Sequence, residues 1–544
     1  MEDMMKLQNG SDIRGISLSG FDGEHPNLSA DEAVKIARGF LLWLCKKTGK
    51  TPDRLTVAIG RDPRLSGKHL LLGLVNGFGP YGTEVLDCGL ASTPAMFMST
   101  VFPKLQCDGA IMITASHLPS NRNGFKFFDK DGGLNKSDIT QILQTAIDGK
   151  KALTTLGPPI FESNFQMVLG KKTYPSIPTE LMEEYCAHLR GVIKKSVGSI
   201  GGDLPLSGLK IVVDAGNGSG GFFASKVLAP LGADVSDSQF LTPDGTFPNH
   251  PPNPENKEAM HAISMAVLTT GADLGLIFDT DVDRSAAVDG RGNEISRNRI
   301  VALAASLVAE EHPGTTVVTD SITSNHLTTF LESSLGLRHL RFKRGYKNVI
   351  NKAIELNAAG NDCQLAIETS GHAALKENYF LDDGAYLATK IVVKAAKLAR
   401  EGKTIDQLLA DLRDPAEEKE IRMDITCADF GPYGDQILVD LLDWAAKTTG
   451  VHIVTPNYEG VRLDFDLDGL SSDANKPLTT DGNAAPNTAA EPTDPAGWCL
   501  LRKSLHDPLM PLNLESDLPG GCKRIADILR PFLASYKFLD ISNL

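Results

Sequence analysis

Short runs of apolar and β-branched residues alternate along this chain with longer segments of helical periodicity. RLTVAIG (54–60), GTEVLDCG (82–89), DGAIMITAS (108–116), LKIVVDAG (209–216), ADLGLIFD (272–279) and TTVVTD (315–320) each read as a buried strand ending at a turn or polar loop. Between them, DEAVKIARGFLLWLCKKTG (31–49), GGFFASKVLAPLG (220–232) and IVALAASLVAEEH (300–312) read as helices. Strands and helices alternating over this length predict α/β units with mostly parallel sheets. In such sheets ligands gather at the carboxyl ends of the strands. The order strand, helix, strand, polar loop recurs over 54–116, 209–279 and 315–368, which predicts three related mixed α/β domains.

The tail follows a different pattern. VRLDFDLDG (461–469) alternates like a strand, and GWCLLRKSLHDPLM (497–510) like its hairpin partner. The run between them, about 470–496, is rich in Pro, Ala, Thr, Asn and Asp and reads as a disordered excursion. Boundary signals near 155–175, 298 and 413–418 divide the chain into 1–160, 161–297, 298–415 and an α+β domain at 416–544.

At 544 residues, length alone predicts roughly three to five domains. The formal net charge of -14 argues against nucleic acid as the main partner, since phosphate backbones demand a surplus of Lys and Arg. Small anionic substrates need only a few local cations and stay open. No apolar run approaches the length of a membrane span. The opening MEDMMKLQNGSDIRG has neither a secretory core nor transit-peptide character, so any organelle peptide would already have been removed. The eight cysteines are scattered without a CxxC pair, which reads as reduced, structural thiols.

The sharpest local motif is DTDVDR at 279–284. Asp279, Asp281 and Asp283, directly after a buried strand, can converge on one hard cation if the loop curls around it. The alternative is a solvated acidic turn, but placement at a strand end favours the cation. An EF-hand is excluded, because Arg284 and Gly290 stand where it needs Gly and Glu. In ITASHLPSNRNGFKFF (113–128), Ser116 leaves a strand with His117 and Lys126 as candidate proton handlers or anion binders. Taken alone, this Ser-His pair is more simply an ordinary strand-to-turn serine. GNGSGG (216–221) fits a dinucleotide fingerprint with Asp237 downstream, although a glycine-rich turn opening a helix explains it more simply. ETSGH (368–372) sets Glu368, Ser370 and His372 on one loop, a donor and acceptor set suited to vicinal hydroxyls; the plainer reading is a capping turn. KRGYKNVI (343–350) and RKSLHDP (502–508) are basic turns or, alongside the other anion-handling loops, parts of a phosphate clamp.

Taken in order, SDIRG (11–15), GRDPRLSG (60–67), GLASTP (89–94), TASHLP with NGFK (114–126), DTDVDR, RGYKN (344–348), ETSGH, and EGVRLDF followed by RKSLHDP resemble the α-D-phosphohexomutase superfamily along nearly the whole chain. The resemblance implies four domains around a central cleft. It implies a phosphoserine at Ser116 and Mg2+ between that phosphate and Asp279, Asp281 and Asp283. It also implies phosphoryl transfer through a hexose 1,6-bisphosphate that turns over in the site. Arg14, His117 and Lys126 would flank the reacting phosphate, with Arg284, Gly345, Lys347, Glu368, Ser370 and His372 binding the sugar phosphate. Arg502, Ser504 and His506 would hold the distal phosphate.

Two loops depart from the family pattern. Leu505 and His506 replace small and hydroxyl residues of the phosphate loop, and Leu118 replaces an Asn beside the nucleophile. With the 470–496 insertion, they resemble a plant and algal plastid branch. The implied activity is interconversion of glucose 1-phosphate and glucose 6-phosphate, with mannose phosphates tolerated, in a monomer or weak homodimer of the plastid stroma or cytoplasm. Alternatives are a phosphoglucosamine mutase, a non-catalytic sugar-phosphate-binding relative, or a nucleotide-dependent oxidoreductase built on GNGSGG.

Overall fold

The computed structural model describes residues 2–20, 23–149, 154–156, 166–168, 171–198, 203–467, 496–504 and 507–544. The predicted excursion therefore lies outside the described residues except for Ala496, as do Leu505 and His506. The chain forms two compact units, one of residues 1–318, 336–338 and 349–410, the other of 319–335, 339–348 and 411–544.

Three sheets of the α/β part share one strand order. In the first, Glu84–Leu90, Thr56–Arg61, Gly109–Ile113 and Arg122–Asp129 lie side by side. The first three are parallel, and Arg122–Asp129 returns antiparallel. Asp12–Ile16 and Ile177–Pro178 extend this sheet on its two sides. The second sheet repeats the scheme with Ile211–Asp214, Leu274–Phe278 and the antiparallel Ser285–Asp289. There the outer strand is reduced to two parallel bridges, Lys210 to Asp234 and Asp214 to Gln239. The third orders Arg338–Arg341, Thr316–Thr319, Cys363–Ile367 and Ala373–Leu375, the last again antiparallel.

In each sheet the loop after the third strand is the one that carries chemistry: Ser116, then Asp279 to Arg284, then Glu368 to His372. This recurrence corrects the expectation of mostly parallel sheets. A polar loop at the end of a buried strand turns straight back as a hairpin instead of crossing over through a helix, so each of the three sheets gains an antiparallel strand.

Two further expectations change. The predicted helix at 220–232 is a wide π turn, Phe223–Leu228, followed by a 3-10 turn, Ala229–Leu231. Pro230 offers no backbone N–H and ends regular winding there. The predicted strand 497–510 is two strands, Gly497–Leu501 and Leu509–Ser516, with the polar residues Arg502, Lys503 and Ser504 belonging to neither. The hairpin pairing itself is present, Val461 opposite Leu501 and Phe465 opposite Gly497.

In the second unit Glu417–Asp424, Leu509–Ser516, Gly497–Leu501, Val461–Phe465 and Val451–Ile453 form an antiparallel sheet. Helices Phe430–Ala445 and Gly521–Leu533 contribute Ile437, Leu441, Ile525 and Leu529 to its core. Among the described residues no helix is long and apolar enough to cross a membrane.

Candidate active site

The serine loop follows a strand with no exposed residue, Gly109–Ile113. Ser116 then adopts φ 50, the left-handed region that costs a non-glycine residue about 1–3 kcal/mol and is held only where surroundings dictate it. Its Oγ donates to Asp279 Oδ2 at 3.0 Å and accepts from Arg284 Nη2 at 3.3 Å. The His117 ring lies beside it, with Nδ1 at 3.5 Å.

The aspartate loop follows the apolar strand Leu274–Phe278. Val282 is fully buried with φ 67, an unusual state for a β-branched side chain. That kink folds the loop so that Asp279, Asp281 and Asp283, all buried, bring carboxylate oxygens within 4.8 Å of one another. Lys126 pairs with Asp283 and lies 3.4 Å from Asp281. Thr93, at the start of a helix, donates its hydroxyl to Asp281 Oδ2 and its N–H to the Asp281 carbonyl at 2.8 Å. Arg284 donates to Asp279 at 3.2 Å and to Asn253 Oδ1 at 3.1 Å, with Glu255 at 3.5 Å. After these contacts Asp281 Oδ1 and Asp283 Oδ1 remain buried without a hydrogen-bond donor. Crowded carboxylate oxygens lacking donors are what a hard cation requires, so the three aspartates fit a divalent metal.

The third loop is bolted to the second. A Cβ at Gly371, which has φ 92, would lie 2.5 Å from the Ser285 carbonyl, so only glycine fits. Ser285 N donates to Gly371 O at 3.3 Å, and Arg284 and His372 form a bridge. This sets His372 Nδ1 against Asp382 and 3.8 Å from Asp283. Glu368 is buried, and the Ser370 hydroxyl is buried without a hydrogen-bond partner.

Charge follows from this packing. Burial, with Asp283 and Asp281 adding to it, holds Asp279 far above the usual carboxylate range despite Arg284. Burial works the same way on Asp283, but Lys126, His372 and Arg284 outweigh it and keep that carboxyl ionised. His372 is pulled down by burial, yet Asp382 and Asp283 carry it up to about 9. Desolvation against neighbouring groups, then the Arg284 and Arg14 cations, pushes His117 below its ordinary value. The His117 residue keeps an exposed face toward solvent.

Asp383 holds the aspartate loop from behind. It caps helix Gly384–Arg400 by accepting from Tyr386 N at 2.8 Å, and it also accepts from the Tyr185 hydroxyl at 2.6 Å. The N–H of Gly384 donates to the Val282 carbonyl at 3.2 Å. Burial pushes Asp383 up to about 6. Loss of the cap and an orphaned Tyr185 hydroxyl together predict that Asp383→Ala destabilises the protein by about 2–4 kcal/mol below pH 5. A carboxyl raised in the folded state binds more protons there than when unfolded, so its contribution falls as pH rises from about 4 through 6. Urea-unfolding midpoints of both proteins at pH 4.5 and 7.5 measure this, and a difference that widens with pH contradicts it.

Of the predicted residues, Ser116, His117, Lys126, Asp279, Asp281, Asp283, Arg284 and His372 form one connected cluster. Arg14 reaches it through Thr114, whose carbonyl it contacts, and also pairs with Asp12 at 2.7 Å. Gly345, Lys347, Arg502 and Ser504 belong to the second unit. There Arg502 is buried, donates to Asn513 Oδ1 at 3.4 Å, and keeps a buried Nε without a partner. His506 lies outside the described residues. Sequence reasoning missed Thr93, Asn253, Glu255 and Asp382; GLASTP held the first as a motif without a role. The glycines of GNGSGG are explained by packing, since a Cβ at Gly221 would lie 2.3 Å from Leu241 O and one at Gly218 2.8 Å from Thr280 O. Asp237, the acidic residue of that fingerprint, pairs with Lys210 at 2.7 Å.

Family models of phosphoglucomutase/phosphomannomutase alpha/beta/alpha domains I, II and III match residues 5–153, 183–292 and 296–415. A phosphomannomutase/phosphoglucomutase of Pseudomonas putida is 29% identical over 475 residues, covering 87% of this chain and 86% of its own length. A phosphoglucomutase of Neisseria meningitidis is 28% identical over 526 residues, covering 96% of each. A crystal structure of a phosphoglucomutase/phosphomannomutase family protein from Burkholderia thailandensis superposes with a TM-score of 0.71 at 25% identity, covering 97% of each chain.

Proposed function

The chain belongs to the α-D-phosphohexomutase superfamily, and from that premise we propose that it interconverts glucose 1-phosphate and glucose 6-phosphate through a phosphoserine at Ser116 and a hexose 1,6-bisphosphate intermediate. The observation that carries this reading is the meeting of a strained serine hydroxyl with Asp279 and Arg284, beside two buried carboxylate oxygens that lack donors.

Phosphoryl transfer asks a protein for positioning and charge neutralisation more than for covalent chemistry. Asp279, Asp281 and Asp283, with a phosphate oxygen on Ser116, would hold Mg2+, which supplies neutralisation of the transferring group's charge. Lys126 and Arg14 add fixed positive charge on the same group. As the Ser116 Oγ–P bond breaks, a P–O bond forms to a sugar hydroxyl, whose proton passes to the His117 imidazole, neutral for the reasons above. The reverse transfer from the turned bisphosphate restores the phosphoserine. Glu368 as acceptor, the unpartnered Ser370 hydroxyl and His372 would grip the 3- and 4-hydroxyls. Recognition there does not sense the configuration at C2, so mannose phosphates are accepted too. Gly345 and Lys347 would line the sugar face and Arg284 would contact its phosphate. Arg502, Ser504 and His506 would take the phosphate that is not reacting. In this reading the partners are hexose phosphates, with neither nucleic acid nor membrane, and the protein is a monomer or weak homodimer of the cytoplasm or plastid stroma.

The purified protein is expected to convert glucose 1-phosphate to glucose 6-phosphate when given Mg2+ and catalytic glucose 1,6-bisphosphate, and to stop when EDTA is added. The peptide spanning 114–126 is expected to carry one phosphate. No turnover together with an unmodified peptide after incubation with the bisphosphate sinks the reading.

A further inference from the structure

The mutase reading gives the buried cation Arg64 no role. Arg64, in the loop after strand Thr56–Arg61, is 2% exposed. A guanidinium has five N–H donors in a rigid fork, and here all five are used. Nε donates to Asp62 Oδ2 at 3.1 Å. Nη1 donates to the carbonyls of Pro119 at 2.6 Å and Arg122 at 3.1 Å. Nη2 donates to the carbonyls of Ser116 at 2.5 Å and Leu118 at 2.6 Å. Four of the five bonds therefore end on the backbone of one loop, the loop that carries the serine.

The opposite side of the Ser116 backbone is tied to the same anchor. Ser116 N donates to Thr114 Oγ1 at 2.9 Å, and that hydroxyl donates to Asp62 Oδ2 at 2.7 Å. Asp62 Oδ1 in turn accepts from Arg64 N at 2.9 Å. Both flanks of Ser116, its N–H and its C=O, thus run to the single Asp62–Arg64 pair. Two tight turns follow, with Leu118 N donating to Ala115 O and Arg122 N to Pro119 O. They direct the carbonyls of residues 116, 118, 119 and 122 toward Arg64, and without a donor there, those acceptors would carry a desolvation cost.

A lid closes over the pair. The Phe247 ring centroid lies 5.2 Å from Arg64 Cζ. A Cβ on Gly245 would stand 2.4 Å from the Pro63 carbonyl and 2.7 Å from Arg64 Cα, so that segment rests directly on the Arg64 backbone.

We propose that Arg64, fixed by Asp62 and covered by Phe247, is the positioning residue that holds Ser116 in its left-handed, reaction-ready conformation by saturating the carbonyls of residues 116, 118, 119 and 122. Arg64 touches no reacting atom and acts only through the serine loop. A lysine at this position has one charge centre and no fork, so it satisfies at most part of the set. The assignment rests on the mutase reading for its catalytic consequence, but the clamp itself has a readout that needs no turnover.

The test uses the full chain as Arg64→Lys and Thr114→Val, each checked for a wild-type circular dichroism spectrum and Mn2+ affinity. Deuterium exchange of peptides within 114–122 is expected to quicken about tenfold in Arg64→Lys, with the aspartate loop unchanged. The kcat is expected to fall about a hundredfold with the KM for glucose 1-phosphate within about threefold, the signature of a misplaced nucleophile. Thr114→Val, which severs the other tie with little change of volume, is expected to lose about tenfold in kcat in the same pattern. Wild-type exchange and kcat in both variants overturn the clamp, as does a loss that appears in KM or Mn2+ affinity instead of kcat. If Arg64→Lys does not fold, Thr114→Val alone decides by the same two readouts. An inactive wild-type protein would instead count against the mutase reading, and the exchange data would still decide whether Arg64 holds the loop.

Discussion

Ser116→Ala is expected to lower kcat by roughly 10,000-fold or more, because removing a nucleophile that forms the covalent intermediate leaves only the positioning and electrostatic part of catalysis. The same variant is expected to bind Mn2+ nearly as well as the wild type. In the structure the Ser116 hydroxyl donates to Asp279 Oδ2, while the oxygens left without donors are on Asp281 and Asp283. Removing one Oγ subtracts a donor from Asp279 and leaves those two oxygens where they are. The expected pair of results is therefore an inactive enzyme that still titrates with metal and with glucose 1-phosphate. A coupled assay for glucose 6-phosphate and electron paramagnetic resonance of bound Mn2+ measure the two halves. Residual activity above about 1% of wild type would assign the phosphoryl carrier to another residue.

The serine shows why parts of this site are legible in the sequence and parts are not. Seen locally, Ser116 is an ordinary residue at the end of a strand. Its distinguishing feature is φ 50, and that is imposed by Arg64 and Thr114, one of them far away along the chain. The aspartates are legible as a type, three carboxylates at alternate positions after an apolar run. Their convergence depends on Val282 adopting φ 67, which no propensity scale suggests for a β-branched residue. The strands were legible because burial writes itself as apolar runs; some boundaries moved by a residue or two, as from 54–60 to Thr56–Arg61, and others by more, as from 108–116 to Gly109–Ile113 and from 461–469 to Val461–Phe465. Strand direction was not legible, because a hairpin and a crossover begin with the same polar loop. Thr93 and Arg64 sat inside motifs without roles, since their partners are backbone carbonyls and a carboxylate from other segments. Family resemblance supplied the order of the loops, and the geometry supplies the reason they must meet.

Lys126→Met separates two jobs that one side chain performs. Lys126 is buried, paired with Asp283 and 3.4 Å from Asp281. Methionine preserves most of the stem's volume and removes the charge. Breaking a buried ion pair from one side costs about 3–5 kcal/mol because a desolvated carboxylate is left uncompensated. His372 and Arg284 still act on Asp283, which places the expected loss for the metal-free variant at the lower end of that range. A divalent cation held by the same aspartates compensates the same charge. Mg2+ is therefore expected to raise the unfolding temperature of Lys126→Met more than that of the wild type, by linkage of metal binding to folding. Catalysis should not follow stability. A fixed ammonium aimed at a transferring phosphoryl group contributes about a hundredfold to a thousandfold, as a single preorganised charge-stabilising donor does. The kcat of Lys126→Met is thus expected to stay depressed by about that factor at saturating Mg2+, where the fold has recovered. Thermal scans with and without Mg2+, paired with kcat at saturating metal, give both numbers. Equal Mg2+ shifts in the two proteins would show that Lys126 does not balance the aspartates. Recovery of kcat alongside stability would reduce its role to holding the loop, and leave Arg14 and Arg284 as the cations that meet the phosphoryl group.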